Sequence, residues 1–92
     1  MARIFQTPTM GEAQIRVALV TDRSQADLCV HRVSSWGMAR GDANWFLTRD
    51  KQDATCLIYF TSIGMAQVKV YFTDNYGEAG WQKESVHKGR FG

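Results

Sequence analysis

The sequence predicts an all-β protein folded as one domain, and three observations predict it. Apolar residues recur at every second position in short runs, as in Ala13-Gln14-Ile15-Arg16-Val17 and Ala66-Gln67-Val68-Lys69-Val70. The runs are too short for a stable helix of 3.6-residue period, and they are rich in Val, Ile, Tyr, Phe and Thr, which suit a pleated surface. The chain also repeats: Ala2, Ala13, Ala26, Ala39, Ala54, Ala66 and Ala79 stand 11, 13, 13, 15, 12 and 13 residues apart. Finally, 92 residues, 45% of them apolar, supply one hydrophobic core and no more.

Each alanine opens a unit of about thirteen residues, seven in all. Two positions on stand Ile4, Ile15, Leu28, Cys56, Val68 and Trp81; four positions on, in the middle units, stand Val17, Val30, Ile58 and Val70. The residues between are mostly polar, which makes each unit a half-buried strand. Pro8 falls in the shortest unit, where a missing amide donor costs least. Gly11, Gly37, Gly64 and Gly77 each precede an alanine by two and suit turns with positive φ; Asp22, Asp50 and Asp74 suit the opening of a turn. The alanines themselves are expected at the first inward site of each strand, as a layer of small side chains where larger ones would overpack. One unit breaks the period. Arg40-Gly41-Asp42-Ala43-Asn44 is inserted before Trp45-Phe46-Leu47-Thr48, where Trp45 and Leu47 take the inward places. The expected inward set is Ile4, Ala13, Ile15, Val17, Leu19, Ala26, Leu28, Val30, Trp45, Leu47, Ala54, Cys56, Ile58, Ala66, Val68, Val70, Ala79 and Trp81. Connections of about six residues cannot hold a crossover helix, so antiparallel neighbours are expected. The repeat domain spans 2–84, and 85–92 form a short basic tail in which His87 is expected to be solvated.

Seven alanine-marked units with Gly/Ser/Asp turns resemble the small bacterial septoil-knot domain family. Asp22-Arg23-Ser24-Gln25-Ala26-Asp27-Leu28-Cys29-Val30, Asp74-Asn75-Tyr76-Gly77-Glu78-Ala79-Gly80-Trp81 and the closing Ala79-Gly80-Trp81 carry the resemblance, which covers roughly residues 2–84. It implies a compact β protein whose backbone is threaded into a seven-crossing torus knot, against the general rule that chains do not thread. It implies slow folding and slower unfolding as well. The family brings no established activity and no catalytic residue.

The residues point to binding in preference to chemistry. A formal charge of +2 and a pI near 8.7 make too weak a field to name nucleic acid or an acidic surface as partner. Cys29 and Cys56 are too few for a disulfide scaffold and lack zinc-ligand spacing; no cofactor is expected. Cys29 and His31 lie two apart on one strand and project to the same polar side, but a thiol and an imidazole without a third orienting group do not make a nucleophile. The glycines form no phosphate cradle and the aspartates no calcium loop. An enzyme is therefore not expected. No apolar run reaches the ~18 residues of a membrane helix, and no signal-peptide core is visible, so a cytoplasmic location without membrane contact is expected. Arg3, Arg16, Arg32 and Lys69 interleave with Phe5, Tyr59 and Tyr71, which leaves single-stranded nucleic acid as an alternative partner. A protein partner or self-association fits better, since Trp36, Trp45, Trp81, Tyr76 and Phe91 offer more aromatic surface than a core this small hides. The candidate binding site is the place where the period breaks: Trp36, Arg40, Asp42, Asn44 and Trp45.

Overall fold

A computed structural model describes residues 2–92, with the side chain of Trp36 outside the described set. Seven strands follow the seven units: β1 (Ala2–Gln6), β2 (Ile15–Leu19), β3 (Leu28–Arg32), β4 (Asn44–Leu47), β5 (Cys56–Phe60), β6 (Val68–Phe72) and β7 (Gly80–Trp81). The first six close into a barrel in the order β4-β1-β5-β2-β6-β3 and back to β4. All six pairings in the ring are parallel; only the short β7 pairs antiparallel, beside the first half of β3. The expectation of antiparallel neighbours is thus corrected.

The physical reason lies in the register. Gln6 ends β1 opposite Ile58 of β5, and Ile15 begins β2 opposite the same Ile58 from the other side. The connection need only step over one strand, two spacings of about 4.8 Å, with no return along the barrel. The same stride recurs over β6 at Val70, over β1 at Ile4 and over β2 at Val17. Strands β1, β2 and β3 therefore occupy alternate places on a first circuit, and β4, β5 and β6 fill the gaps on a second. Only β3 to β4 joins direct neighbours. That step uses the residues inserted in the long fourth interval, so the broken period is where the chain changes circuit.

Most strands offer their first three residues to one neighbour and their last three to the other. β2, for example, pairs with β5 through Ile15–Val17 and with β6 through Val17–Leu19. This stagger tilts the strands steeply and sorts the inward side chains into three rings. The middle ring is Ile4, Val17, Val30, Trp45, Ile58 and Val70, all without exposed surface. The lower ring, toward the strand starts, is Ala2, Ile15, Leu28, Ala43, Cys56 and Val68; it completes the same apolar cluster. The upper ring, at the strand ends, is Gln6, Leu19, Arg32, Leu47, Phe60 and Phe72. One residue past it on every strand, the amides of Thr7, Val20, Val33, Thr48, Thr61 and Thr73 donate to the carbonyls of Ile58, Val70, Trp45, Ile4, Val17 and Val30. Each middle-ring carbonyl receives one, and the ring closes without an open edge among these strands.

Outside the barrel lies a second layer. The connections fold into 3-10 turns at Met10–Glu12, Arg23–Gln25, Trp36–Met38, Lys51–Asp53, Ile63–Met65 and Tyr76–Glu78. The ladder alanines mark the ends of these turns: Ala13, Ala26, Ala54, Ala66 and Ala79 each bond back to the first turn residue as the chain drops onto the next strand. They are not a layer inside the barrel, as expected from alternation alone. Ala2 alone among them belongs to the central cluster, Ala13, Ala54, Ala66 and Ala79 are half-buried, and Ala26 packs with Val20 and Cys29 beneath Tyr71 in a separate outer cluster. Nor do the frame glycines use positive φ; Gly41, Gly80 and Gly89 do, because a 3-10 turn keeps φ negative at its centre. Asp22 and Asp50 cap their turns through their carboxylates, as expected; at the last turn Asn75 takes that role and Asp74 does not.

The residue after each alanine has its own task. Gln14, Asp27, Thr55 and Gln67 donate their amides to Leu57, Lys69, Arg3 and Arg16, and their side-chain oxygens accept from the amides of those same residues. A side chain thus stands in for the ladder carbonyl where the strand begins. The connections are also pinned from below. Arg3 on β1 donates Nε–H to the carbonyl of Asp53, 2.7 Å away, in the turn that strides over it; Arg16 on β2 does the same to Met65 at 2.9 Å.

Candidate functional site

The two mouths of the barrel are built differently. At the lower mouth the tail folds back, and Phe91 enters the core with no exposed surface, against Trp45 (centroids 5.2 Å apart) and Trp81 (6.1 Å). Asp42 organises this end. Its carboxylate accepts from Trp81 Nε1 (2.8 Å), the Gly89 amide (2.5 Å) and the Phe91 amide (3.2 Å), and its carbonyl accepts from Trp45 Nε1 (2.6 Å). Thr55 Oγ1 donates to the carbonyl of Phe91 at 2.7 Å. His87 is half-buried in this tail and not fully solvated as expected.

No described residue covers the upper mouth in the same way. Leu19 and Leu47, expected inside, are 48% and 39% exposed. Their inward phase is right, but the tilt lifts them above the closed middle ring. Phe60 and Phe72 are half-buried against the core, and the Arg32 guanidinium lies over the Phe72 ring, 4.6 Å from its centroid. Beside Arg32 opens a hollow of about 480 Å³ whose walls include His31, Ser34, Phe46, Leu47 and Asp74. His31 Nδ1 lies 3.2 Å from the carbonyl of Thr73, and its ring meets Tyr76 edge-on.

The inserted segment chosen from the sequence is divided by the fold. Arg40 and Asn44 exchange backbone hydrogen bonds at 3.3 Å across the tight turn at Gly41. Asp42 faces the tail, and Trp45 is a core residue without exposed surface. Asn44 is buried, and its Oδ1 has no hydrogen-bond partner among the described residues. Trp36 begins the preceding 3-10 turn, and its side chain lies outside the described residues. Of the upper ring the expected inward set holds only Leu19 and Leu47, yet one further step from Val30, Ile58 and Val70 reaches Arg32, Phe60 and Phe72. Phe91, alone among Gly, Arg and Lys, carries no periodic signal at all.

The cysteines sit in unreactive places. Cys29 faces outward as expected from the strand, but the connection over β6 buries it completely with Val20 and Ala26, so it shares no open surface with His31. Burial raises its thiol pKa, and burial drives Cys56 up to about 12. Among the described residues no three His, Cys, Asp or Glu side chains gather where a metal ion could sit. No helix among them is long and apolar enough to cross a membrane.

Comparison with curated proteins finds no match, and neither does comparison with solved structures. The family model described as the 7(1) septoil knot domain matches residues 1–82, every strand unit from β1 to β7. Two interleaved circuits of a closed ring are the winding a torus knot requires, and the chain belongs to the septoil knot domain family.

Proposed function

We propose that the protein is a rigid interaction module whose upper mouth receives a protein partner through an apolar side chain flanked by a carboxylate. One observation carries the reading: the upper ring leaves Leu19 and Leu47 exposed around Phe60 and Phe72, while Arg32 stands at the rim over Phe72 without an ion pair among the described residues. Apolar side chains held on a closed barrel lose little entropy on binding, and an arginine anchored on an aromatic ring is a common centre of binding energy. Burial of both thiols supports a binding role over covalent catalysis. The tethering of Arg3 and Arg16 to connection carbonyls supports a protein over single-stranded nucleic acid as ligand. The test compares wild type, Leu47→Asp, Arg32→Glu and the tail variant Val86→Asp as baits in a lysate of the native cell. A protein retained by wild type and Val86→Asp, and lost from both ring variants, supports the reading. A protein retained equally by all four, or a ligand that proves to be an oligonucleotide with steeply salt-dependent affinity, overturns it.

A further inference from the structure

The tail is a visitor in the lower mouth more than a part of its wall. Of residues 85–92 only Phe91 is buried. The segment joins no sheet. Its amides at Lys88 and Arg90 bond within it, to Ser85 and His87. Among the described residues three hydrogen bonds tie its backbone to the barrel: the Gly89 and Phe91 amides to the Asp42 carboxylate, and the Phe91 carbonyl to the Thr55 hydroxyl. A hollow of about 340 Å³ lies between Gln14, Ile15 and Gln67 on one side and Val86, His87 and Arg90 on the other, so this stretch is loosely packed. The family match ends at residue 82, before the segment begins.

These are the parts of a peptide-recognition site. A deep aromatic pocket formed with Trp45 and Trp81 takes one side chain; a carboxylate and a hydroxyl read the backbone on either side of it; and Gly89, at φ +82°, supplies a conformation other residues rarely adopt. Arg90 is exposed between them. We propose that the lower mouth is a binding site for a Gly-x-Phe peptide, filled in cis by this chain's own tail and open to exchange with residues 85–92 of a second copy. The site is distinct from the upper ring and does not depend on it. Exchange in both directions would link copies tail-into-barrel without any new contact.

The test uses the full folded chain with a specific protease site inserted between the exposed residues Lys83 and Glu84, cut after folding. The released segment is expected to stay bound through gel filtration. A fluorescent synthetic peptide of residues 85–92 is expected to replace it, with the barrel's circular dichroism unchanged. Phe91→Ala in the peptide should weaken replacement by about a hundredfold, and Asp42→Asn in the barrel by about tenfold. Gly89→Ala in the peptide should also weaken it, which keeps the test decisive if the Asp42 variant does not fold. Unfolding of the barrel when the segment leaves would make the tail a structural element and overturn the proposal. So would failure of the labelled peptide to bind the cut barrel, or equal binding of the wild-type and Phe91→Ala peptides.

Discussion

The two mouths are made from the same alternating strands, yet one is stopped and the other, among the described residues, is open. At the lower mouth the inward residues shrink to Ala2, Ala43 and Cys56, leaving room that Phe91 fills. At the upper mouth they grow to Leu19, Leu47, Phe60 and Phe72, and their own bulk crowds the end. Small residues invite a plug from outside; large ones are their own partial lid. The difference teaches that in a barrel this narrow, side-chain size at the rim decides whether an end is part of the core or part of the surface.

The sharpest way to break the comparison is to put the same charge on both sides of it. Val68→Asp, in the lower ring and without exposed surface, should abolish folding, because a buried unpaired carboxylate costs several kilocalories. Circular dichroism and a thermal melt check it. Phe91→Ala comes next, with an expected loss of about 3 kcal/mol in denaturant unfolding if the barrel does not collapse around the void. Asp42→Ala strips acceptors from Trp81, Gly89 and Phe91 and should cost about 2 kcal/mol, with tryptophan fluorescence reporting the loosened tail. Leu19→Asp, on the same inward phase as Val68, should cost under about 0.5 kcal/mol, since its side chain already meets water. A large loss there would show that the upper mouth is closed after all.

The smallest effect concerns the outer layer. Glu12 bonds Lys51 and Thr7, and Glu78 bonds Thr73 and Arg23; these hydrogen bonds hold both carboxyls below their ordinary value of 4.5. A carboxyl whose folded value is depressed lends stability above 4.5 and loses it as pH falls through the folded value. Melting temperatures should therefore drop on the acid side of 4.5, and Glu12→Gln with Glu78→Gln should flatten that drop. An unchanged acid limb in the double variant would assign it to other groups.

Which side of each strand faces inward was legible in the sequence, because alternation is a local property: Ile15, Val17, Leu28, Val30, Cys56, Ile58, Val68 and Val70 are all buried. Height along the barrel was not. Leu19 and Leu47 share the phase of Val17 and Trp45, and only the slip between neighbouring strands, which joins residues some fifty apart, lifts them to the rim. Strand direction was hidden for the same reason, since no span of thirteen residues shows that Gln6 and Ile15 flank one partner. Of the candidate site, the break at Arg40–Asn44 was visible and marks a special place, the change of circuit and the anchor for the tail. The partner of Asp42 was not, because Gly89 and Phe91 lie just over half the chain away.

The interleaved order has a consequence for how the protein is born. A ribosome releases the amino end first, and β1, β2 and β3 emerge as pickets with every gap between them empty. None can bond to another, since each waits for a strand from the later half. The nascent chain thus cannot form its native sheet, and its valines and isoleucines lack their native cover, until Cys56–Phe60 and Val68–Phe72 arrive to fill the fence. Native pairing in this domain therefore begins only once its second half has emerged, and shielding of the waiting half is a demand that the finished structure places on the cell that makes it.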